Sequence, residues 1–212
     1  MGSLPAYRRS APLVPALLAL GLAACADPRG SYDDFAGRLP VQRKGELPDA
    51  GAFDALPDVS GRFLVGLFTG LGTGKPTESV AEVAMTRTPS GGMLTVQLQP
   101  LGIRDRAPVG APGERTSVAV DSHGRFEVVL ANVHMPGTAN PITGQDFTID
   151  AKLRGLIRSE DHFCGLLDGR VTEPQVVDLT GSTFGAVRIG PAGVLPDPIA
   201  ECVEPDEVPA AP

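Results

Sequence analysis

The sequence lacks most of what announces a chemistry. Its three histidines, His123, His134 and His162, stand far apart, and no His-x-x-x-His spacing presents two imidazoles to one ion. No Gly-x-Ser-x-Gly elbow is present, because Gly181-Ser182-Thr183-Phe184-Gly185 places its serine one residue early. A phosphate loop is missing too. Residues 70–77 are glycine-rich, but Thr69 occupies the first glycine position, and Pro76 follows Lys75 where a hydroxyl must reach magnesium. Asp161-His162, the one adjacent acid and histidine pair, reads as a solvated polar tip at a turn beside Cys164. Catalytic, cofactor-binding and metal-binding residues are therefore all expected to be none.

Basic charge is also scarce. Eighteen Lys and Arg face 25 Asp and Glu, a net charge of −7, which leaves no basic face for phosphates and excludes nucleic-acid recognition. The acidic tail, with Asp197, Glu201, Glu204, Asp206 and Glu207, has no compact loop with a turn glycine to hold calcium and reads as a solvated charge run. Sustained helical periodicity is absent, as is any internal repeat. Beyond residue 22 no apolar run approaches the roughly 20 residues that a membrane-spanning helix needs.

What is present begins at the N-terminus. Arg8 and Arg9 precede an uncharged stretch, residues 11–22, with five leucines, and small residues follow up to Cys25. A charged start, a short apolar run and small residues are the layout of an export signal. Leu22-Ala23-Ala24-Cys25 resembles the lipobox of bacterial lipoprotein precursors. That resemblance implies a signal peptide over residues 1–24 and a lipid on Cys25, the first residue of the mature chain. Several acyl chains, at about 0.8 kcal/mol per buried methylene, anchor a protein permanently. Asp27 stands one place beyond the position at which an aspartate retains such proteins in the inner membrane, and Ala26 fills that position. The resemblance thus implies the outer membrane of the cell envelope, with the lipid as the membrane partner. Tyr7-Arg8-Arg9-Ser10 is similar to a twin-arginine signal, but Ala11 replaces its aromatic residue, which favours the general secretory route.

With Cys25 assigned to lipid, Cys164 and Cys202 are the remaining thiols of an exported chain, and they are expected to pair. Two separate buried or reactive thiols are the alternative.

Residues 25–57 carry four prolines and little periodic apolar pattern, and read as a tether with a short helix over 31–39. Residues 58–190 change character. Leu94, Val96 and Leu98 alternate with Thr95, Gln97 and Gln99; Phe147, Ile149, Ala151 and Leu153 alternate with Thr148, Asp150, Lys152 and Arg154. A period of two is the mark of a strand with one buried face. Further strands are expected over 62–69, 79–87, 117–120, 125–133, 163–171 and 183–189, with turns at 88–92, 121–124 and 159–161. About eight short strands over this length predict an all-β fold, a single antiparallel barrel or sandwich. Residues 191–212 read as an acidic, proline-rich tail fixed by Cys202.

Gly61-Arg62-Phe63 is similar to the Gly-x-Trp opening of lipocalin-like barrels, small-molecule carriers of which some are bacterial lipoproteins. Phe63 stands where the tryptophan would, and the sequence identifies no arginine as its usual partner. The function expected is that of an envelope lipoprotein with a non-catalytic binding or structural β domain. A lipocalin-like carrier of a small apolar ligand is the first alternative and a hydrolase the second. An empty interior would mark the carrier, and a histidine joined to a serine and an acid would mark the hydrolase.

Overall fold

The computed structural model describes residues 47–48, 53–70, 74–202 and 208. The signal peptide, Cys25, the helix over 31–39 and the tail acids Glu204, Asp206 and Glu207 lie outside the described residues.

Nine strands follow one another: β1 (Gly61–Phe68), β2 (Thr77–Thr88), β3 (Gly91–Pro100), β4 (Thr116–Asp121), β5 (Arg125–Met135), β6 (Phe147–Ser159), β7 (His162–Glu173), β8 (Val177–Asp178) and β9 (Ser182–Arg188). Each of β1 to β7 pairs antiparallel with the next, β7 also pairs with β9, and β9 returns to β1. The result is a closed eight-stranded antiparallel barrel, and closure removes the free sheet edges through which β proteins aggregate. The two-residue β8 adds to the end of β7.

Local chemistry explains the turns. Between β4 and β5 one Asp121 carboxylate oxygen accepts the backbone N–H groups of His123 (2.9 Å) and Arg125 (2.8 Å), and Gly124 supplies the positive φ of 77° that the turn requires. Between β6 and β7 the Ser159 hydroxyl accepts the N–H of Asp161.

The alternation read from the sequence sorts inside from outside. Phe63, Ala81, Leu94, Phe126, Ile157, Phe163, Phe184 and Ala186 meet in one buried cluster, and a second, around Ile149, Ala151, Leu167 and Leu179, continues it. Both clusters include Leu67, Leu130 and Leu153, so one core runs along the barrel. Phe53, Leu56 and Val59 pack on the first cluster. The chain just before β1, which its prolines suggested was tether, thus plugs one end of the barrel.

Part of the outer wall is buried as well. Leu64 and Val187 are cross-strand partners on the face opposite Phe63, and both are inaccessible to solvent. Leu64 packs with Val80, Leu101, Ile189 and Leu195. One step along the strands, Gly66 faces Gly185, and Gly185 faces Cys164. A Cβ on Gly66 would approach Pro198 to 3.0 Å, and one on Gly185 would approach the Ile199 carbonyl to 2.6 Å. The missing side chains form a trough in which residues 198–199 lie. The disulfide Cys164–Cys202, with Cα atoms 5.1 Å apart, then fastens this strap to β7. The first half of the tail is therefore a packed part of the wall, held along its course as well as at Cys202.

Candidate functional site

At the plugged end, Arg188 closes β9 against β1. Its guanidinium lies 4.7 Å from the centre of the Phe63 ring. Its Nε donates to Asp161 (2.7 Å), Nη1 to the Ser60 carbonyl (2.8 Å), and Nη2 to the carbonyls of Asp58 (3.1 Å) and Glu160. Gly61 has a φ of 140°, and a Cβ there would come within 2.5 Å of the guanidinium, so glycine is needed for this approach. Hydrogen bonds from the Ser60 side chain and backbone hold the Asp58 carboxyl below its ordinary pKa, with the charges of Arg87 and Arg188 adding to this. The arginine packed on Phe63 is thus Arg188. It was hidden because only barrel closure brings residue 188 beside residue 63.

The interior is occupied by side chains. Phe63 and Phe163 pack with ring centres 4.9 Å apart, and Phe126 meets Phe163 edge-on at 6.0 Å. The rings of Phe126 and Phe184 lie against Gly155 and Gly165, where any Cβ would collide with them.

The histidines do not converge. His134 Nε2 sits 3.4 Å from an Asp146 carboxylate oxygen at an exposed position. His123 lies in the β4–β5 turn. His162 corrects the sequence reading. It opens β7 on the outer wall and is fully buried, with Nδ1 2.9 Å from the Ala186 carbonyl and, among the described residues, no hydrogen-bond partner for Nε2. Burial lowers its pKa and the Arg158 charge lowers it further, against an opposing contribution from the Ala186 hydrogen bond. Its neighbour Asp161 is engaged by Arg188. Ser182, in the off-register elbow, is buried at the start of β9 beside interior Leu167, across the wall from His162. Cys164 and Cys202 are joined, as expected. Among the described residues no group of three or more His, Cys, Asp or Glu could hold a metal ion, and no helix is long and apolar enough to cross a membrane.

A groove of about 320 Å³ lies on the outer face of β1 to β3. The segment between β3 and β4 builds one side of it. There the N–H groups of Val109 and Gly113 donate to the Pro100 and Leu98 carbonyls at 2.9 and 2.8 Å, extending the sheet beyond β4. The Gln97 and Gln99 side-chain amides donate to the Gly113 and Val109 carbonyls, and Arg115 donates to the Gln97 oxygen. Arg106 pins the same segment to Glu78 (2.7 Å) and to the Pro196 carbonyl of the strap (2.8 Å). Buried Val80, Pro108 and Pro112 line the groove together with the exposed cross-strand partners Arg62 and Glu82. Its parts come from three strands and a loop, so no contiguous motif could reveal it.

No protein-family model matches the chain, and no curated protein does. Among solved structures, a redesigned β-barrel is similar at 17% identity over 62% of this chain and 92% of that one, with a TM-score of 0.36.

Proposed function

We propose that this protein is a lipid-anchored component of the bacterial cell envelope, attached through Cys25 and directed to the outer membrane. Its barrel is a non-catalytic binding or structural module that works through its outer wall. The anchor rests on Leu22-Ala23-Ala24-Cys25 and the short apolar run before it. The mode of action rests on the interior, where a continuous core with four phenylalanine rings takes up the space a carrier would reserve for its ligand. Removal of residues 1–24 leaves 16 basic against 25 acidic residues, which opposes adhesion to anionic lipid and gives the attachment to the acyl chains.

The carrier remains the second reading because Gly61, Phe63 and Arg188 reproduce the arrangement of glycine, aromatic ring and arginine of lipocalin-like barrels. Two measurements test the proposal. Metabolic labelling with an alkyne fatty acid should mark the wild type and spare Cys25→Ser; equal labelling would remove the anchor. Titration of the ¹⁵N-labelled mature chain with palmitate should leave the amides of Leu94, Phe126 and Phe163 unmoved. Saturable shifts at those interior positions would favour the carrier.

A further inference from the structure

We propose that the outer-wall groove binds the zwitterionic head of an aliphatic amino acid or short peptide. This deepens the reading of the barrel as a module that binds through its outer wall, and rests on it. Arg62 and Glu82 are direct cross-strand partners on the outer face. Opposite charges so placed ordinarily close into a pair, their Cβ atoms being about 5 Å apart. Among the described residues, neither side chain forms an ion pair or hydrogen bond, with the other or with any third group. The guanidinium therefore offers its donor fork to a carboxylate, while the carboxylate beside it offers acceptors to an ammonium.

The remaining polar groups are largely committed. Both ends of the Gln97 amide are bonded, to Gly113 and Arg115, and the Gln99 nitrogen is bonded to the Val109 and Pro100 carbonyls. These bonds fix the groove before any ligand arrives, which lowers the entropy cost of binding. Among the described residues no hydrogen bond engages the Gln99 oxygen, which is left to orient a ligand. Val80, Pro108 and Pro112 supply apolar surface next to the charge pair. An aliphatic body placed there puts both charges of an amino-acid head within reach of Arg62 and Glu82. A fatty acid would leave Glu82 unanswered, and an amine would leave Arg62 unanswered.

Titration of the ¹⁵N-labelled mature chain in detergent, followed by NMR, tests this with three probes: L-leucine, the dipeptide Ala-Leu and N-acetyl-leucinamide. Saturable shifts at the amides of Val80, Glu82, Gln97 and Gln99 are expected with leucine, Ala-Leu or both. The uncharged analogue should bind at least tenfold more weakly. Binding of leucine points to the free amino acid, and binding of Ala-Leu alone to a peptide. Arg62→Gln and Glu82→Gln should each weaken binding at least fivefold, while Lys152→Gln on the far wall leaves it unchanged. Both groove positions are exposed, so an otherwise unaltered spectrum verifies the fold of each variant. No shifts with either zwitterion, equal binding of the neutral analogue, or wild-type affinity in both groove variants would overturn the proposal. Those results would leave the anchor and the packed interior, tested by lipid labelling and palmitate, standing on their own measurements.

Discussion

The guanidinium of Arg188 lies 4.7 Å over the ring of Phe63 while its nitrogens reach the carbonyls of Asp58, Ser60 and Glu160. One side chain thereby ties together the last strand, the first strand, the plugging segment and the β6–β7 turn. The cation and ring attract each other by about 0.5 to 2 kcal/mol, and each hydrogen bond from a charged donor contributes about 1.5 to 3 before exposure to solvent reduces it.

Arg188→Ala is therefore expected to lower the unfolding free energy by about 2 to 4 kcal/mol, read as a shift in the urea midpoint at unchanged slope. Arg188→Lys should recover less than half of this, because an ammonium cannot reach several carbonyls in one plane. Full recovery by lysine would show that charge alone matters at this end of the barrel.

The strap makes a second prediction. Closing the loop between Cys164 and Cys202, 38 residues apart, should stabilise the fold by about 4 kcal/mol on the chain-entropy argument. Cys202→Ser should lose about that much, and mass spectrometry of the non-reduced mature chain should show a peptide joining the two cysteines. Gly185→Ala keeps the disulfide but puts a methyl group against the Ile199 backbone. It should raise hydrogen exchange at residues 195–201 and leave the amides of β3 unchanged. Unaltered exchange along the strap would mean that the trough is unimportant.

Inside and outside are tested on β3 by adjacent residues. Leu94 is 0% exposed and Met93 is 47% exposed. Leu94→Asp buries an unpaired charge and should cost several kcal/mol or prevent folding, whereas Met93→Asp should stay within about 0.5 kcal/mol. Gln97, which alternation alone also places outside, is a poorer control because its amide bonds to Gly113 and Arg115. Equal effects at 93 and 94 would refute the orientation of the strand.

These contrasts mark where the sequence was legible. Strand β3 and the first part of β6 could be read because each repeats one apolar face at period two over several residues, and neither can be slipped by one without exposing that face. The two-residue β8 carries too little pattern to be seen. Gly66 and Gly185 look like ordinary strand glycines until closure sets them opposite each other. Arg188 was illegible as the partner of Phe63 for the same reason. His162 was misread because a polar residue beside a turn normally faces water, while here the ring is buried on the outer wall with Nδ1 at the Ala186 carbonyl. The groove combines Arg62 and Val80 with Gln99 and Pro108, positions that only strand register and a returning loop bring together.

The buried histidine carries the last prediction. The pKa of His162 is lowered from 6.5, mainly by burial, and among the described residues Nε2 has no partner that would favour a proton. The unfolded chain, with its histidine at the ordinary value, therefore takes up a proton first as the pH falls. Folding stability from this residue is fully present above pH 6.5 and is lost as the pH drops from there towards the lowered folded value. Urea midpoints of wild type should fall between pH 7.5 and pH 5.5, and His162→Gln should flatten most of that slope even if it is less stable overall. A slope unchanged by His162→Gln would mean that other groups set the response to acid and that the outer wall admits the protonated ring without cost.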